Sequence, residues 1–331
     1  MKYSIIIPLA KFNDYLVEAI PHLLNLDYPK EEYEILILPN EIPKRLPKYL
    51  KHKQIGIVET GRVSPAVKRD IGASKAEGEI LAFIDDDSYP RDDWLITAEK
   101  TFDNLKECKA ECFSEEFVAI NGPAITPNNV TWKEKMSGAF FESKLGGGAT
   151  HRCRDVGKSF EIDDAPSVNL LVYREAFLEV GGFGSEYWPG EDSIFCQKLK
   201  DNGYKLWHQN NLIIFHHRRD TFKKHLKQVL GYGQHRGNFF RKGIGCSRKL
   251  SYVIPYLFLI GNITILFFLG WIIIPMLFIY FIIISLNLYS CRNLPIILFL
   301  PTIILTFVSH LTYGFFFIKG FCAKDIRSEL R

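Results

Sequence analysis

The run Asp85-Asp86-Asp87 is the first feature of this 331-residue sequence that indicates chemistry. Adjacent carboxylates repel one another, so the run needs a cation or solvent to compensate its charge. Carboxylate oxygens suit Mg²⁺ or Mn²⁺, which commonly bridge to the phosphates of a substrate. A solvated acidic turn is the alternative. The run directly follows the apolar segment 79–84, and this place at the end of a predicted buried strand favours metal binding.

A second pair of carboxylates, Glu191 and Asp192, follows the turn at 187–190 and opens a predicted helix. Carboxylates at a helix N-terminus are stabilised by the helix dipole, so helix capping is one interpretation. The other is catalytic, with Asp192 acting as a general base that deprotonates a substrate hydroxyl. The pair alone does not decide between these interpretations.

The segments that would position these carboxylates alternate between strands and helices. Short apolar runs predict strands at 3–8, 33–38, 54–58, 79–84, 168–172 and 212–215. Helical spacing and capping signals predict helices at 13–26, 65–76, 92–105, 174–180 and 191–202. Such alternation predicts a doubly wound α/β domain, in which ligands bind at the carboxyl ends of the strands.

The C-terminal part has a different composition. Between Tyr252 and Ile318 the only charged residue is Arg292. Because a spanning helix needs ~20 residues, this run predicts a transmembrane region of about three helices. Three crossings would place the basic tail opposite the catalytic domain, against the positive-inside tendency. Either one segment is therefore re-entrant, or the charges of the tail do not decide the topology.

Charge and cysteine content indicate the compartment and the partners. Residues 216–251 hold 10 Lys and Arg against 1 acidic residue, as expected of a cytoplasmic juxtamembrane segment that contacts membrane lipids or the phosphate of a lipid carrier. Residues 1–215 hold 26 basic against 34 acidic residues, which argues against a nucleic-acid partner. The cysteines number seven and contain no CxxC pair, which favours reduced thiols facing the cytosol.

The ordered set of motifs resembles the family 2 glycosyltransferases, which have the GT-A fold. The matching segments are 4–8, 66–72, 78–87, 169–174, 181–183, 190–192, 203–204 and His216. The resemblance implies a GT-A domain with a doubly wound, mostly parallel sheet at 1–240, followed by a basic juxtamembrane segment at 241–251. A helical transmembrane region at 252–318 and a tail at 319–331 complete the predicted organisation, that of a multi-pass cell-membrane protein with its catalytic domain on the cytoplasmic face.

The resemblance also implies roles for individual residues. Asp192 matches the catalytic base, and Glu191 and Asn169 match positions that contact the acceptor or position the base. The residues that match nucleotide-sugar-binding positions are Pro8, Asn40, Arg69, Asp85 and Asp86. Asp87, Asp85 and His216 match the ligands of a divalent metal, Mn²⁺ or Mg²⁺.

The implied reaction transfers one sugar, with inversion, from a nucleotide-sugar donor to a lipid-linked or cell-surface glycan acceptor. Two departures from the family pattern matter. Leu38-Pro39-Asn40-Glu41 replaces the acidic end of the second strand, and the Gln-x-x-Arg-Trp signature of processive synthases is not found, which favours single-sugar transfer. A polyprenyl-phosphate sugar synthase, in which Asp192 would matter less, and a non-catalytic membrane scaffold are the alternatives.

Overall fold

The computed structural model describes residues 1–112, 116–147, 149–184, 187, 189–245, 248–268, 270–289, 291 and 294–326. The strands are β1 (Tyr3–Pro8), β2 (Tyr33–Leu38), β3 (Ile55–Ile57), β4 (Ile80–Ile84), β5 (Ser88–Pro90), β6 (Glu116–Asn121), β7 (Ala124–Ile125), β8 (Phe160–Ile162), β9 (Asn169–Tyr173), β10 (Tyr204–His208) and β11 (Ile214–His216). The helices are α1 (Asp14–Leu24), α2 (Pro65–Lys75), α3 (Trp94–Cys112), α4 (Trp132–Glu142), α5 (Arg174–Glu179), α6 (Glu191–Asp201), α7 (Phe222–Lys242), α8 (Leu250–Phe268), α9 (Ile273–Tyr289) and α10 (Phe299–Cys322).

The chain divides into two compact units. The first contains residues 1–125 and 155–216, and the second contains residues 126–154 and 217–326.

The first unit is built on an eight-stranded sheet with the order β3-β2-β1-β4-β9-β6-β10-β8. The pairs β1–β2, β1–β4, β2–β3 and β6–β10 are parallel, and β4–β9, β6–β9 and β8–β10 are antiparallel. Alternate residues of β1 enter different cores, Ile5 and Ile7 on one face of the sheet and Ile6 on the other. Helices therefore cover both faces, which explains why β1 has no polar alternation. The prediction of a doubly wound, mostly parallel sheet is confirmed.

A second sheet of three strands, in the order β5-β11-β7, belongs to the same unit. Sequence reasoning predicted the strand near 212–215 but not its separate sheet. It also missed β5, β6, β7, β8 and β10. Three of these have only two or three residues, and in β10 Lys205 and His208 interrupt the apolar residues, so these four strands produce no strong apolar run. The apolar run 117–120 of β6 was an available signal that sequence reasoning did not use.

The second unit combines α4 with α7, α8, α9 and α10. Three of its segments are long and apolar enough to cross a membrane: Leu250–Phe268, Gly270–Tyr289 and Ile296–Cys322. Together they cover most of the predicted region 252–318, so the prediction of about three apolar helices is confirmed.

The predicted domain boundary at residue 240 stays a prediction, and the compact units divide the chain at other positions. Residues 126–154 and 217–240 belong to the unit that contains the apolar helices, because α4 and α7 pack against α10. The basic juxtamembrane segment at 241–251 stays a prediction; it includes the connection between the end of α7 at Lys242 and the start of α8 at Leu250.

Candidate active site

The carboxyl end of β4 brings two carboxylates and an imidazole together. Asp85–Asp87 form the turn between β4 and β5, and β5 pairs antiparallel with β11 so that Ser88 lies opposite His216. This pairing places His216 Nε2 3.2 Å from Asp87 Oδ1. One ligand atom from each of Asp85, Asp87 and His216 lies within 4.8 Å of the others. Carboxylate oxygens with an imidazole nitrogen fit a divalent ion such as Mn²⁺, and no second group of this kind occurs within the described ranges.

The middle carboxylate, Asp86, points to a different partner. Its Oδ2 accepts a hydrogen bond of 2.5 Å from Asn13 Nδ2. Asn13 also caps α1, because its Oδ1 accepts from the backbone N–H of Leu16 at 2.9 Å. Burial, together with the adjacent Asp87 and Asp85, raises the pKa of Asp86 to about 7. Asp86 therefore ties the acidic turn to the N-terminus of α1, while its two neighbours form the candidate metal site.

Arg69 connects the candidate metal site to the second acidic motif. Its guanidinium donates to Asp85 Oδ1 at 2.7 Å and to Glu191 Oε1 at 3.1 Å, and it lies over the ring of Phe183. The side chain is only 4% exposed. Arg69 was predicted to face the nucleotide, and this stays a prediction; in the structure it is a buried bridge between two carboxylates. A buried cation with two charged hydrogen-bond partners is well compensated.

The second acidic motif begins helix α6. Gly190 precedes the helix with a φ of 113°, a conformation that favours glycine. Glu191 points inward to Arg69, and burial and the adjacent Asp192 raise its pKa while Arg69 opposes the shift. Asp192 is half-buried, and its Oδ1 accepts from the backbone N–H of Ser193 at 2.8 Å. Gly190 at the N-cap position makes no side-chain capping bond, so the bond to Ser193 is the contact that Asp192 makes with the first turn of α6, and its carboxylate retains partial exposure.

Asn169, which was predicted to contact the acceptor or to position the base, is an internal residue of the first unit. Its side chain is fully buried, accepts from Trp94 Nε1 at 3.0 Å and donates to the carbonyl of Leu212 at 2.8 Å. Its own carbonyl accepts from Asn121 Nδ2 at 2.8 Å. These bonds use both ends of the amide, so Asn169 joins α3, β6 and β9 to the segment before β11. Asn169 therefore fixes the position of the segment that leads to His216.

Pro8 and Asn40 lie near the carboxyl ends of β1 and β2, beside the end of β4 in the sheet order. Pro8 is buried and pairs with Leu38, and Asn40 is half-buried with its carbonyl bonded to the N–H of Gly61 at 3.0 Å. Sequence reasoning missed Lys68, whose buried ammonium donates to the carbonyl of Leu38 at 3.2 Å. Burial lowers the pKa of Lys68 to about 8. A single lysine in a helical pattern gave no signal for this position.

Asp70 is a second residue that sequence reasoning did not assign. Its carboxylate accepts from the backbone N–H groups of Phe183 and Gly184, both at 2.9 Å. Gly182 has a φ of 59°, and a Cβ there would lie 2.5 Å from Asp70 Oδ1. The Gly181-Gly182 pair in the sequence was the available signal, because the close approach of Asp70 requires glycine. The contact holds Phe183 beneath Arg69.

Comparisons with known proteins concern the family and the fold. Residues 4–109 match the family described as Glycosyl transferase family 2. The chain is 26% identical, over 96% of its length and 97% of the relative's, to a Methanococcus voltae protein named dolichyl N-acetyl-alpha-D-glucosaminyl phosphate 3-beta-D-2,3-diacetamido-2,3-dideoxy-beta-D-glucuronosyltransferase. It is 24% identical to glycosyltransferase AglE of Haloferax volcanii, over 70% of this chain and 71% of that protein.

Among solved structures, the chain is similar to the mannosyltransferase PcManGT of Pyrobaculum calidifontis, which was determined in complex with GDP-Man and Mn²⁺. The TM-score is 0.57 at 15% identity, over 94% of this chain and 87% of that one. At this identity the likeness concerns the fold.

The fold and these similarities define a glycosyltransferase of the GT-A type. The chain carries a family 2 glycosyltransferase domain at residues 4–109, and the resemblance read from its motifs is confirmed. Helices apolar enough to cross a membrane follow the GT-A unit.

Proposed function

We propose that this glycosyltransferase moves one sugar, with inversion at the anomeric carbon, from a nucleotide-sugar donor to a lipid-linked or cell-surface glycan acceptor, and that the reaction needs a divalent metal. The observation that carries the proposal is the set of Asp85, Asp87 and His216, with ligand atoms within 4.8 Å of one another at the carboxyl end of β4. Ligands of open α/β sheets bind at this edge.

Asp85, Asp87 and His216 would hold the ion. When bound, a divalent ion stabilises the negative charge that grows on a nucleoside diphosphate as it leaves. Arg69 contributes by orienting Asp85 through the 2.7 Å ion pair. Pro8 and Asn40 lie at the ends of the neighbouring strands, where the nucleoside of the donor would contact the sheet edge.

Asp192 is the proposed general base. Direct displacement with inversion needs one carboxylate that removes the proton of the acceptor hydroxyl. The bond from Ser193 N–H holds Asp192 Oδ1 in place, and the partial exposure of the side chain allows an acceptor to approach. Glu191 positions the base indirectly, since its ion pair with Arg69 anchors the first turn of α6 to the turn that carries Asp85.

A lipid-linked acceptor is supported by the name of the Methanococcus voltae relative, which includes a dolichyl-linked phosphate substrate. The apolar helices would keep the enzyme at the membrane, where such an acceptor resides. The basic segment 216–251 favours a catalytic domain on the cytoplasmic face.

The proposal is tested by incubating membranes that contain the full chain with a panel of radiolabelled nucleotide sugars and lipid extract. We expect one donor to label the lipid-extractable fraction, with the label lost in EDTA and restored by Mn²⁺ or Mg²⁺. Label transfer that is unaffected by EDTA would contradict the metal requirement, and hydrolysis without transfer for every donor would contradict the acceptor class.

A further inference from the structure

Helix α10 is long and apolar enough to cross a membrane, yet polar elements of the second unit contact it along its length. Near its beginning, Ile303 shares a core cluster with Ala139 of α4 and with Cys291. Cys291 Sγ also donates to the carbonyl of Ala139 at 3.7 Å. Helix α4 contains Lys133, Glu134 and Lys135, so it cannot lie in the hydrocarbon of a bilayer without a large cost.

The rest of α10 packs against α7, with the two helices running in the same direction. His225 Nε2 lies 3.0 Å from Ser309 Oγ near the start of the contact, and Asn238 Nδ2 donates to the carbonyl of Ala323 at 2.9 Å near its end. Between them, a Cβ on Gly233 would lie 2.6 Å from the carbonyl oxygen of Tyr313. The helix backbones therefore approach closely, as small residues at helix interfaces allow.

Helix α7 is too polar to enter the hydrocarbon. Its six formal cations are Lys223, Lys224, Lys227, Arg236, Arg241 and Lys242. Lysine or arginine at the centre of a bilayer costs at least ~2.5–3.5 kcal/mol per residue. Only five residues, 217–221, separate β11 from α7. They reach at most ~18 Å when fully extended, less than the ~30 Å hydrocarbon core, so α7 lies on the same side of the membrane as the catalytic unit.

The face of α10 that is turned away from α7 is apolar and exposed. Its members are Leu300, Ile304, Val308 and Phe315, which recur at helical spacing. The opposite face contains Thr302, Thr306, Ser309 and His310, all of them buried. A helix with one exposed apolar face and an opposite face that packs on polar helices is suited to lie parallel to the membrane surface, in the interface.

Helices α8 and α9 form a hairpin whose two ends lie on the α7 side. Helix α8 begins eight residues after α7 ends. Near the end of α9, Asn287 Oδ1 accepts from the N–H of Leu145, and Leu288 joins the core cluster with Ala139. The far half of the hairpin, residues 260–279, contains no buried residue among those that the structure describes, as expected of a segment surrounded by lipid.

We infer that α10 lies along the membrane surface on α4 and α7 instead of crossing the bilayer, so that the tail after it remains on the catalytic side. Only the α8–α9 hairpin enters the bilayer. The bonds from Arg241 to the carbonyl of Lys324, at 2.8 Å, and from Lys242 to Asp325, at 2.9 Å, hold the tail to the end of α7. This arrangement also removes the conflict between three crossings and the positive-inside tendency.

The test is protease protection in sealed inside-out membrane vesicles, with the full chain carrying an epitope tag after Arg331. We expect protease to remove the tag at the same rate as it digests the catalytic unit, before any detergent is added. The control chain has one additional spanning helix between Arg331 and the tag, and its tag should be protected. A tag that survives in intact vesicles while the catalytic unit is digested would overturn the inference.

A second measurement tests the packing without a tag. The double variant Lys242→Cys/Asp325→Cys should form an intramolecular cross-link with a short bis-maleimide in intact membranes, identified by peptide mapping, which neither single variant forms. If α10 crossed the bilayer, these positions would lie on opposite faces. A double variant that folds, as judged by its melting temperature, and gives no link between these positions would also overturn the inference.

Discussion

Replacing Arg69 by methionine should destabilise the catalytic unit and disrupt its site together. The variant leaves the carboxylate of Glu191, 7% exposed, and that of Asp85, 31% exposed, without their shared cation. Removing one partner of a buried ion pair costs ~3–5 kcal/mol. Solvent at Asp85 compensates part of this loss, so we expect a loss of about 3 kcal/mol in the free energy of unfolding, and a fall in melting temperature of ~6–12 °C for a unit of this size.

The assay is thermal unfolding of the full chain in lipid nanodiscs, followed by circular dichroism. Arg91→Met is the matched control, because it removes an arginine from an ion pair with Asp93 whose side chains are 37% and 42% exposed. Such a pair contributes ~0–1 kcal/mol. The loss caused by Arg69→Met should also shrink as the pH is lowered toward 5, since a protonated Glu191 no longer needs a cation.

Arg69→Lys distinguishes charge from geometry. Lysine keeps the positive charge but lacks the planar fork that reaches two carboxylates, so we expect an intermediate melting temperature and weak donor binding. Equal melting temperatures for Arg69→Met and Arg91→Met would refute the bridging role of Arg69.

Asp87→Ala should abolish metal-dependent binding of a nucleoside diphosphate while the protein still folds; unchanged affinity by titration, with and without metal, would count against the metal site. Carbonate or high-salt washing should leave the full chain in the membrane fraction because of its apolar helices; release of the full chain by salt would show that the basic segment alone holds it. Burial lowers the pKa of His225 to about 4, below its usual 6.5. The stability of the full chain should therefore fall as the pH drops from 6.5 toward 4, and His225→Gln should weaken this dependence of the melting temperature on pH; equal slopes would contradict it.

The sequence predicts those parts of the site that follow from local patterns. The position of Asp85–Asp87 at a strand end could be predicted because a buried strand must end where three carboxylates begin. The start of α6 could be predicted because Glu191 and Asp192 follow a glycine turn. His216 could be chosen only through the order of motifs in the family. Its distance from Asp87 depends on the pairing of β5 with β11, and a three-residue strand that ends in proline has too weak a pattern to predict.

The remaining features depend on contacts between distant residues. Arg69 and Glu191 are 122 positions apart, and a basic residue on a helix ordinarily suggests a solvated side chain. Asn169 lies in a motif that resembles the family, but only the packing of Trp94 and Leu212 shows that its amide is fully used. The packing of α7 against α10 could not be predicted from the sequence. Helix α7 is basic and contains several glycines, so its pattern does not indicate which face packs against another helix.

The most direct test of the proposed mechanism is Asp192→Asn, which keeps the shape and most of the hydrogen bonding of Asp192 but removes its proton acceptor. The measurement is sugar transfer at saturating donor, beside donor binding by titration, with Asp201→Asn at the other end of α6 as the control. A general base contributes ~10²–10⁴-fold to the rate, so we predict a loss of turnover of at least ~100-fold in Asp192→Asn, with donor affinity nearly unchanged and with normal turnover in the control. Near-normal turnover in Asp192→Asn would leave helix capping as the role of this residue, and a loss of donor binding equal to the loss of rate would place it in the donor site.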